Sequence, residues 1–237
     1  MPEVPDPKAI WNARFSSALE ARRQAERGSD AGEPIIHETD GRWLDRWLNL
    51  LRTTGTTPVL DLGCGNGGDA RYLVAHGLPV LLTDFSRPAL ELARSALHPA
   101  SASAVELDLR DGLPFRRAAF RVIIANLSLH YHRWSDTQRI LEEVRQRLQQ
   151  PGGMLIARVN SIDDVLHGAG SPHEIERHCY LVAGEVKRFF DREDLEALFA
   201  EGWHIQSLET YITHCYAKPK AVWEIVARHV PRVPEPA

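Results

Sequence analysis

The stretch Val59-Leu60-Asp61-Leu62-Gly63-Cys64-Gly65-Asn66-Gly67-Gly68-Asp69-Ala70 constrains the fold more than any other part of the chain. A short apolar run meets a glycine cluster and passes into a helical pattern. A continuous apolar run suits a strand covered on both faces. Glycine accepts positive φ and lets a ligand reach the main chain with no Cβ in the way. The arrangement predicts a ligand-binding loop at the carboxyl end of a strand, where open α/β sheets take their ligands.

Three more apolar runs repeat the strand signal: Val80–Asp84, Arg121–Asn126 and Met154–Val159. Helical patterns separate them. Leu90, Ala93 and Leu97 share a face after Ser86 and Pro88, a cap residue and a first-turn proline. Ile140, Leu141, Val144 and Leu148 share another, with Ser135 and Gln138 spaced as a capping box and Pro151-Gly152-Gly153 as the stop. Upstream, Trp43, Leu44, Trp47, Leu48 and Leu51 predict an amphipathic helix. Downstream, Asp191 and Asp194 open a helix carrying Leu195, Leu198 and Phe199. Residues 204–212 and 220–227 flank Ala217-Lys218-Pro219 and predict an antiparallel hairpin. Alternation of strands and helices predicts an α/β fold with a mostly parallel sheet. Residues 1 to about 8 and 229–237, rich in proline, are expected to be frayed ends.

The 237 residues suit one domain with small additions, and 43% hydrophobic with 25% charged residues is an ordinary globular balance. No apolar run approaches the ~20 residues of a membrane helix, and the polar start Met1-Pro2-Glu3-Val4-Pro5-Asp6-Pro7 does not read as a secretory signal. A net charge of −4 offers no global attraction for nucleic acid or anionic lipid. Arginines gather at 14, 22, 23 and 27 and at 116, 117 and 121, but acidic neighbours dilute the first group. Three cysteines, Cys64, Cys179 and Cys215, fit a reduced cytoplasm better than a disulfide framework.

The glycine loop alone leaves the ligand open. Gly63, Gly65 and Gly68 satisfy G-x-G-x-x-G, and Asp84, sixteen residues beyond Gly68, suits a ribose hydroxyl pair, as in dinucleotide binding. The surrounding motifs widen the comparison. Asp61 precedes the first glycine by two. Glu106-Leu107-Asp108-Leu109 follows a third strand, and Asn126-Leu127-Ser128-Leu129-His130-Tyr131 ends the fourth. With the terminal hairpin, this set resembles the class I S-adenosylmethionine-dependent methyltransferases, over about residues 57 to 160 by motif and to about 228 by element order. The resemblance implies a Rossmann-like seven-stranded sheet, mostly parallel, with helices on both faces and an antiparallel C-terminal hairpin. It implies a domain at 56–228 behind an N-terminal helical cap at 1–55, with a substrate lid at about 160–190 and a tail at 229–237.

The resemblance also implies roles. Asp61, Gly63, Cys64, Gly65, Asn66 and Gly67 match the loop that holds the methionine part of S-adenosylmethionine, with Asp61 facing its ammonium. Asp84 matches the ribose-binding acid and Phe85 the side chain flanking adenine. Asp108 and Leu109 match the adenine edge, and Asn126 and Leu127 the strand end near the reacting methyl. Cys64 reads as a small packed side chain rather than a nucleophile. His130 is the candidate general base, beside the alternative that it shapes the pocket. Trp11, His130, Tyr131, Arg158 and Tyr180 are the candidate acceptor contacts. The acceptor expected is a small molecule with an O, N or S nucleophile, in loose similarity to the tellurite-resistance and thiopurine types. The string after Asn126 departs from the Asn-Pro-Pro-Tyr pattern associated with planar nitrogens. No metal, nucleic acid or membrane is expected, and a monomer or homodimer is. A nicotinamide-dependent oxidoreductase and a non-catalytic cofactor-binding domain are the other readings.

Overall fold

The computed structural model describes residues 6–26 and 41–230. Residues 35–40, which by their sequence are expected to help build an acceptor pocket, and most of the tail lie outside them. Helix α1 (Pro7–Glu26) comes first. A 3-10 turn at Arg42–Trp47, the single turn α2 (Leu48–Leu51) and a second 3-10 turn at Arg52–Thr54 lead into β1 (Val59–Leu62). Then come α3 (Gly68–Ala75), β2 (Val80–Asp84), α4 (Arg87–Ser95), β3 (Ala102–Glu106), β4 (Val122–Asn126), α5 (Trp134–Arg147) and β5 (Met154–Asn160). The chain ends with β6 (Glu174–Glu176), β7 (Cys179–Val182), β8 (Glu185–Arg188), α6 (Arg192–Leu198), β9 (Trp203–Thr213) and β10 (Lys220–His229).

Seven strands form one sheet in the order β3-β2-β1-β4-β5-β10-β9, and β6-β7-β8 form a separate three-stranded sheet. β1, β2 and β3 pair in parallel, as do β4 and β5, whereas β10 pairs antiparallel with both β5 and β9. The described chain divides into two compact units. One runs to Asp108 and includes Cys215–Ala217; the other runs from Leu109 to His214 and resumes at Lys218.

In the first unit, α1 lays Phe15, Ala18 and Leu19 against Ala89 and Leu92 of α4, with Trp11 partly covered. The larger of these side chains, Phe15, Leu19 and Leu92, each contribute about 1.5–3 kcal/mol when taken from water. Ser86 caps α4 by accepting from the Ala89 amide at 3.4 Å, as its sequence position predicts. The expected helix over Trp43–Leu51 is different: only Leu48–Leu51 is α-helical, between two 3-10 turns. Leu44 and Leu51 are nonetheless fully buried. Tertiary bonds set this segment's path, since the Trp43 indole donates to Asp69 at 2.8 Å and the Tyr72 hydroxyl to Asp45 at 2.6 Å. Pro7 and Lys8 are not frayed but open α1.

The second unit buries every residue of β5 and the first four of β4, so these strands read as continuous apolar runs. The predicted capping box at Ser135 and Gln138 is overturned. α5 begins at Trp134 with Arg133 at its N-cap and no side-chain cap bond, and the Trp134 amide donates instead to Glu176 of β6 at 2.6 Å. Asp191 and Asp194, expected to open a helix, do so at α6, where they form a capping box. The stretch 160–190 holds a 3-10 turn at Val165–His167 and the β6-β7-β8 sheet. His229, expected in the frayed tail, is buried as the last residue of β10.

Candidate active site

The glycine loop builds a cradle within the first unit. Gly63, Gly65 and Gly67 all take positive φ, at 69°, 53° and 79°. At Gly67, the N-cap of α3, a Cβ would stand 2.7 Å from the Ala93 Cβ. Over Gly65, the nearest neighbour of a Cβ would be the Phe15 ring at 3.6 Å, so α1 lies against this loop. Trp11 stacks on Phe15 with ring centroids 5.5 Å apart.

The loop gathers acids. Asp61 is 1% exposed and its Oδ2 has no hydrogen-bond partner. Burial first, then Asp69 and Asp84, hold its carboxyl well above the usual carboxylate range. Asp84 accepts from the Gly65 amide at 3.0 Å and the Ser86 amide at 2.8 Å, tying the two loops together. Burial pushes Asp84 up to about 6, against those amides, which pull it down. Burial and the same acids raise the Cys64 thiol, so it is a protonated packed group rather than a nucleophile. A buried acid with an orphan oxygen, in the field of two others, suits a cationic ligand group. It repels the pyrophosphate of a dinucleotide. Asn66 is buried, Phe85 and Asp108 are half-buried, and Leu109 is buried at the start of a 3-10 turn.

The second unit gathers bases. Leu127, just past β4, adopts φ 55°, a strained conformation for a branched side chain, with its amide donating to the Arg158 carbonyl at 2.9 Å. His130 sits in the following 3-10 turn, 2% exposed, and its Nδ1 has no hydrogen-bond partner. Its ring leans on Tyr131 at 4.2 Å. Burial chiefly, then Lys220, Lys187 and His132, push its pKa well below the usual imidazole value. Arg158, 2% exposed, donates from Nε to Asn126 at 2.8 Å and from Nη1 to the Tyr211 hydroxyl at 3.3 Å. Tyr211 in turn donates to Glu224 at 3.0 Å. Lys220 is held by Asp164 at 2.7 Å, and Lys187 lies 3.7 Å from Glu185.

β8 packs against the turn that carries His130. Its Arg188, also 2% exposed, pairs with Glu176, donates to the His132 carbonyl at 3.3 Å and lies over the Trp134 ring at 5.4 Å.

Of the candidate acceptor residues, His130 touches Tyr131, and Arg158 joins Asn126. Tyr180 on β7 lies against Phe189 at 5.9 Å, and Trp11 belongs to the first unit's α1. Sequence reasoning missed Lys220, Tyr211 and Glu224. For Lys220 and Glu224 the only signal is a charged side chain in the otherwise mostly apolar strand β10, and Tyr211 on the mixed strand β9 carries none. Among the described residues, His178, Asp191 and Asp194 come within a metal ion's reach of one another. Asp191 and Asp194 already cap α6, and His178 Nδ1 lies 2.8 Å from Asp194.

Sheet order, glycine cradle and its acids define a Rossmann-like protein of the class I methyltransferase kind. Residues 59–153 match the family described as "Methyltransferase domain". A malonyl-[acyl-carrier protein] O-methyltransferase from Herminiimonas arsenicoxydans is 31% identical over 71% of this chain, and one from Enterobacter lignolyticus is 33% identical over 68%. The chain spans 61% and 60% of those relatives' lengths. Magnesium protoporphyrin IX methyltransferase from Synechocystis, solved with bound S-adenosylmethionine, shares the fold. Its TM-score is 0.62 at 16% identity, covering 97% of this chain and all of that one. No described helix is long and apolar enough to cross a membrane.

Proposed function

We propose that the protein transfers a methyl group from S-adenosylmethionine to a small-molecule nucleophile. The observation that carries this reading is the orphan Asp61 oxygen under the glycine loop, in an acidic field with no cation described beside it. The donor's sulfonium supplies an activated methyl and a good leaving group. Asp61 accepts from the donor's ammonium, the amides of the loop take its carboxylate, and Asp84 turns its remaining lone pairs to the ribose. Phe85, Asp108 and Leu109 enclose the adenine. Asn126 and Leu127 close the site near the reacting methyl, and His130, Tyr131, Arg158 and Tyr180 serve the acceptor, under a lid built from 160–190. Proximity and alignment are then the protein's main contribution, and can supply several kcal/mol. His130 does not suit a general base, because burial and neighbouring lysines make it a weak one. The O-methyltransferase relatives favour an oxygen acceptor. A cytoplasmic setting, as monomer or homodimer, accompanies this reading.

Calorimetric titration with S-adenosylhomocysteine, with NADH in parallel, tests it. Micromolar binding of the first alone is expected, weakened about tenfold in Asp61→Asn, the usual value of one charge-assisted hydrogen bond. Binding of NADH alone would overturn the reading in favour of an oxidoreductase.

A further inference from the structure

The turn after β4 and the strands β8 and β10 bring together a second set of groups that asks for a ligand of opposite charge to the one at Asp61. His130 is almost fully buried and its Nδ1 has no partner. Two residues earlier, the buried hydroxyl of Ser128 has none either. The charges acting on the imidazole are Lys220 of β10, Lys187 of β8 and the adjoining His132, all of one sign. Lys220 in turn feels Lys187 and Arg158. The acids in this region are committed: Asp164 to Lys220, Glu185 near Lys187, and Glu224 to Tyr211. Among the described residues, no acid acts on His130 itself.

We propose that this turn is an anion site in which the Nδ1–H of neutral His130 donates to a carboxylate oxygen of the acceptor, with Lys187 and Lys220 providing the attraction. The acceptor class is therefore a small carboxylic acid, and the product its methyl ester. This rests on the methyl-transfer reading and names its substrate. A carboxylate is already deprotonated at neutral pH, which agrees with a histidine unsuited to act as base. Its oxygen lone pair forms the new bond to the methyl carbon as that carbon's bond to sulfur breaks and the electron pair stays on sulfur. No proton moves, and the charges of carboxylate and sulfonium cancel. Ser128 can donate a second hydrogen bond. His130 and Ser128 touch the reacting group on this account, whereas the lysines act through the field.

The test uses the full chain with ¹⁵N-labelled histidine, observed by NMR at constant ionic strength. The probes are acetate, butyrate, octanoate and benzoate, each against its amide. A saturable shift of the His130 resonance, assigned by its loss in His130→Gln, is expected with one or more carboxylates and with no amide. Lys187→Gln, at a partly exposed position, is expected to weaken that response at least tenfold while leaving S-adenosylhomocysteine binding unchanged. With labelled methyl donor, the responding carboxylate should give a methyl ester at a rate flat from pH 6 to 9. No shift with any carboxylate, an equal shift with the amide, or an unaltered response in Lys187→Gln would overturn the anion site. Methylation of an amine or thiol with a rate climbing through a histidine titration would overturn it too, restoring His130 as base. A carboxylate response retained in protein that fails to bind S-adenosylhomocysteine would uphold the anion site and remove the methyl-transfer reading instead.

Discussion

The glycine cradle of the first unit and the His130 turn of the second are both buried polar sites, but they are assembled in opposite ways. The cradle is local in sequence: Asp61 to Asp69 supply the loop and two of its acids, and Asp84 arrives on the next strand. Its charge is negative and its geometry is carried by main chain. The His130 turn draws on β5, β8 and β10, up to ninety residues apart, and its field is basic. A cradle made of backbone depends on φ, so a single methyl can wreck it. A turn made of distant side chains depends on pairing, so it fails when a partner is removed.

The largest expected effect is on the backbone side. Gly67→Ala forces a left-handed φ on a residue whose Cβ meets Ala93 at 2.7 Å, and should cost roughly 2–5 kcal/mol in denaturant titration. If it costs less than about 1 kcal/mol, the cradle is not backbone-limited and the contrast collapses.

The acids of the cradle give the next effect. The folded pKa of Asp84 is raised from 3.8 to about 6. Its ionised form is therefore disfavoured in the native state, so stability is full below about 4 and falls as pH rises through about 6. The expected loss is about 3 kcal/mol in the cofactor-free protein. Unfolding midpoints compared between pH 4 and 7 measure it, and the slope should flatten in Asp84→Asn.

On the side of the distant pairs, Glu176→Ala strips the partner from buried Arg188 and an acceptor from the Trp134 amide. Because Glu176 is one-third exposed, we discount the full penalty of a broken buried pair and expect about 2 kcal/mol. Replacing Arg188 by Met in the same background should recover part of it, which a purely local defect at Glu176 would not allow. The smallest effect is Tyr211→Phe, which removes one donor to Glu224 and one acceptor for Arg158. It should cost about 1 kcal/mol by thermal melting.

This contrast also explains what could be read from the chain. The parallel strands, the Ser86 and Asp191 caps and the closing hairpin follow from spacing within a dozen residues, and the structure has them. The segment Trp43–Leu51 carries a good helical stripe, yet Trp43 and Asp45 are claimed by Asp69 and Tyr72, and only one α-turn survives. Ser135 and Gln138 have the spacing of a capping box, but a glutamate forty-two residues away takes the amide that begins the helix. Asp61 and Asp84 could be picked out because the loop motif marks them. Lys220, Tyr211 and Glu224 could not, because only antiparallel pairing of β10 with β9 and β5 brings them beside Arg158.

The bond from Trp134 to Glu176 has one further consequence. The first turn of α5 borrows its acceptor from β6, so the amide of Trp134 should exchange with solvent deuterium at the rate at which β6 opens and not at that of the helix. Hydrogen exchange at that one position would then report the opening of the β6-β7-β8 sheet, a readout of its motion that needs neither substrate nor label.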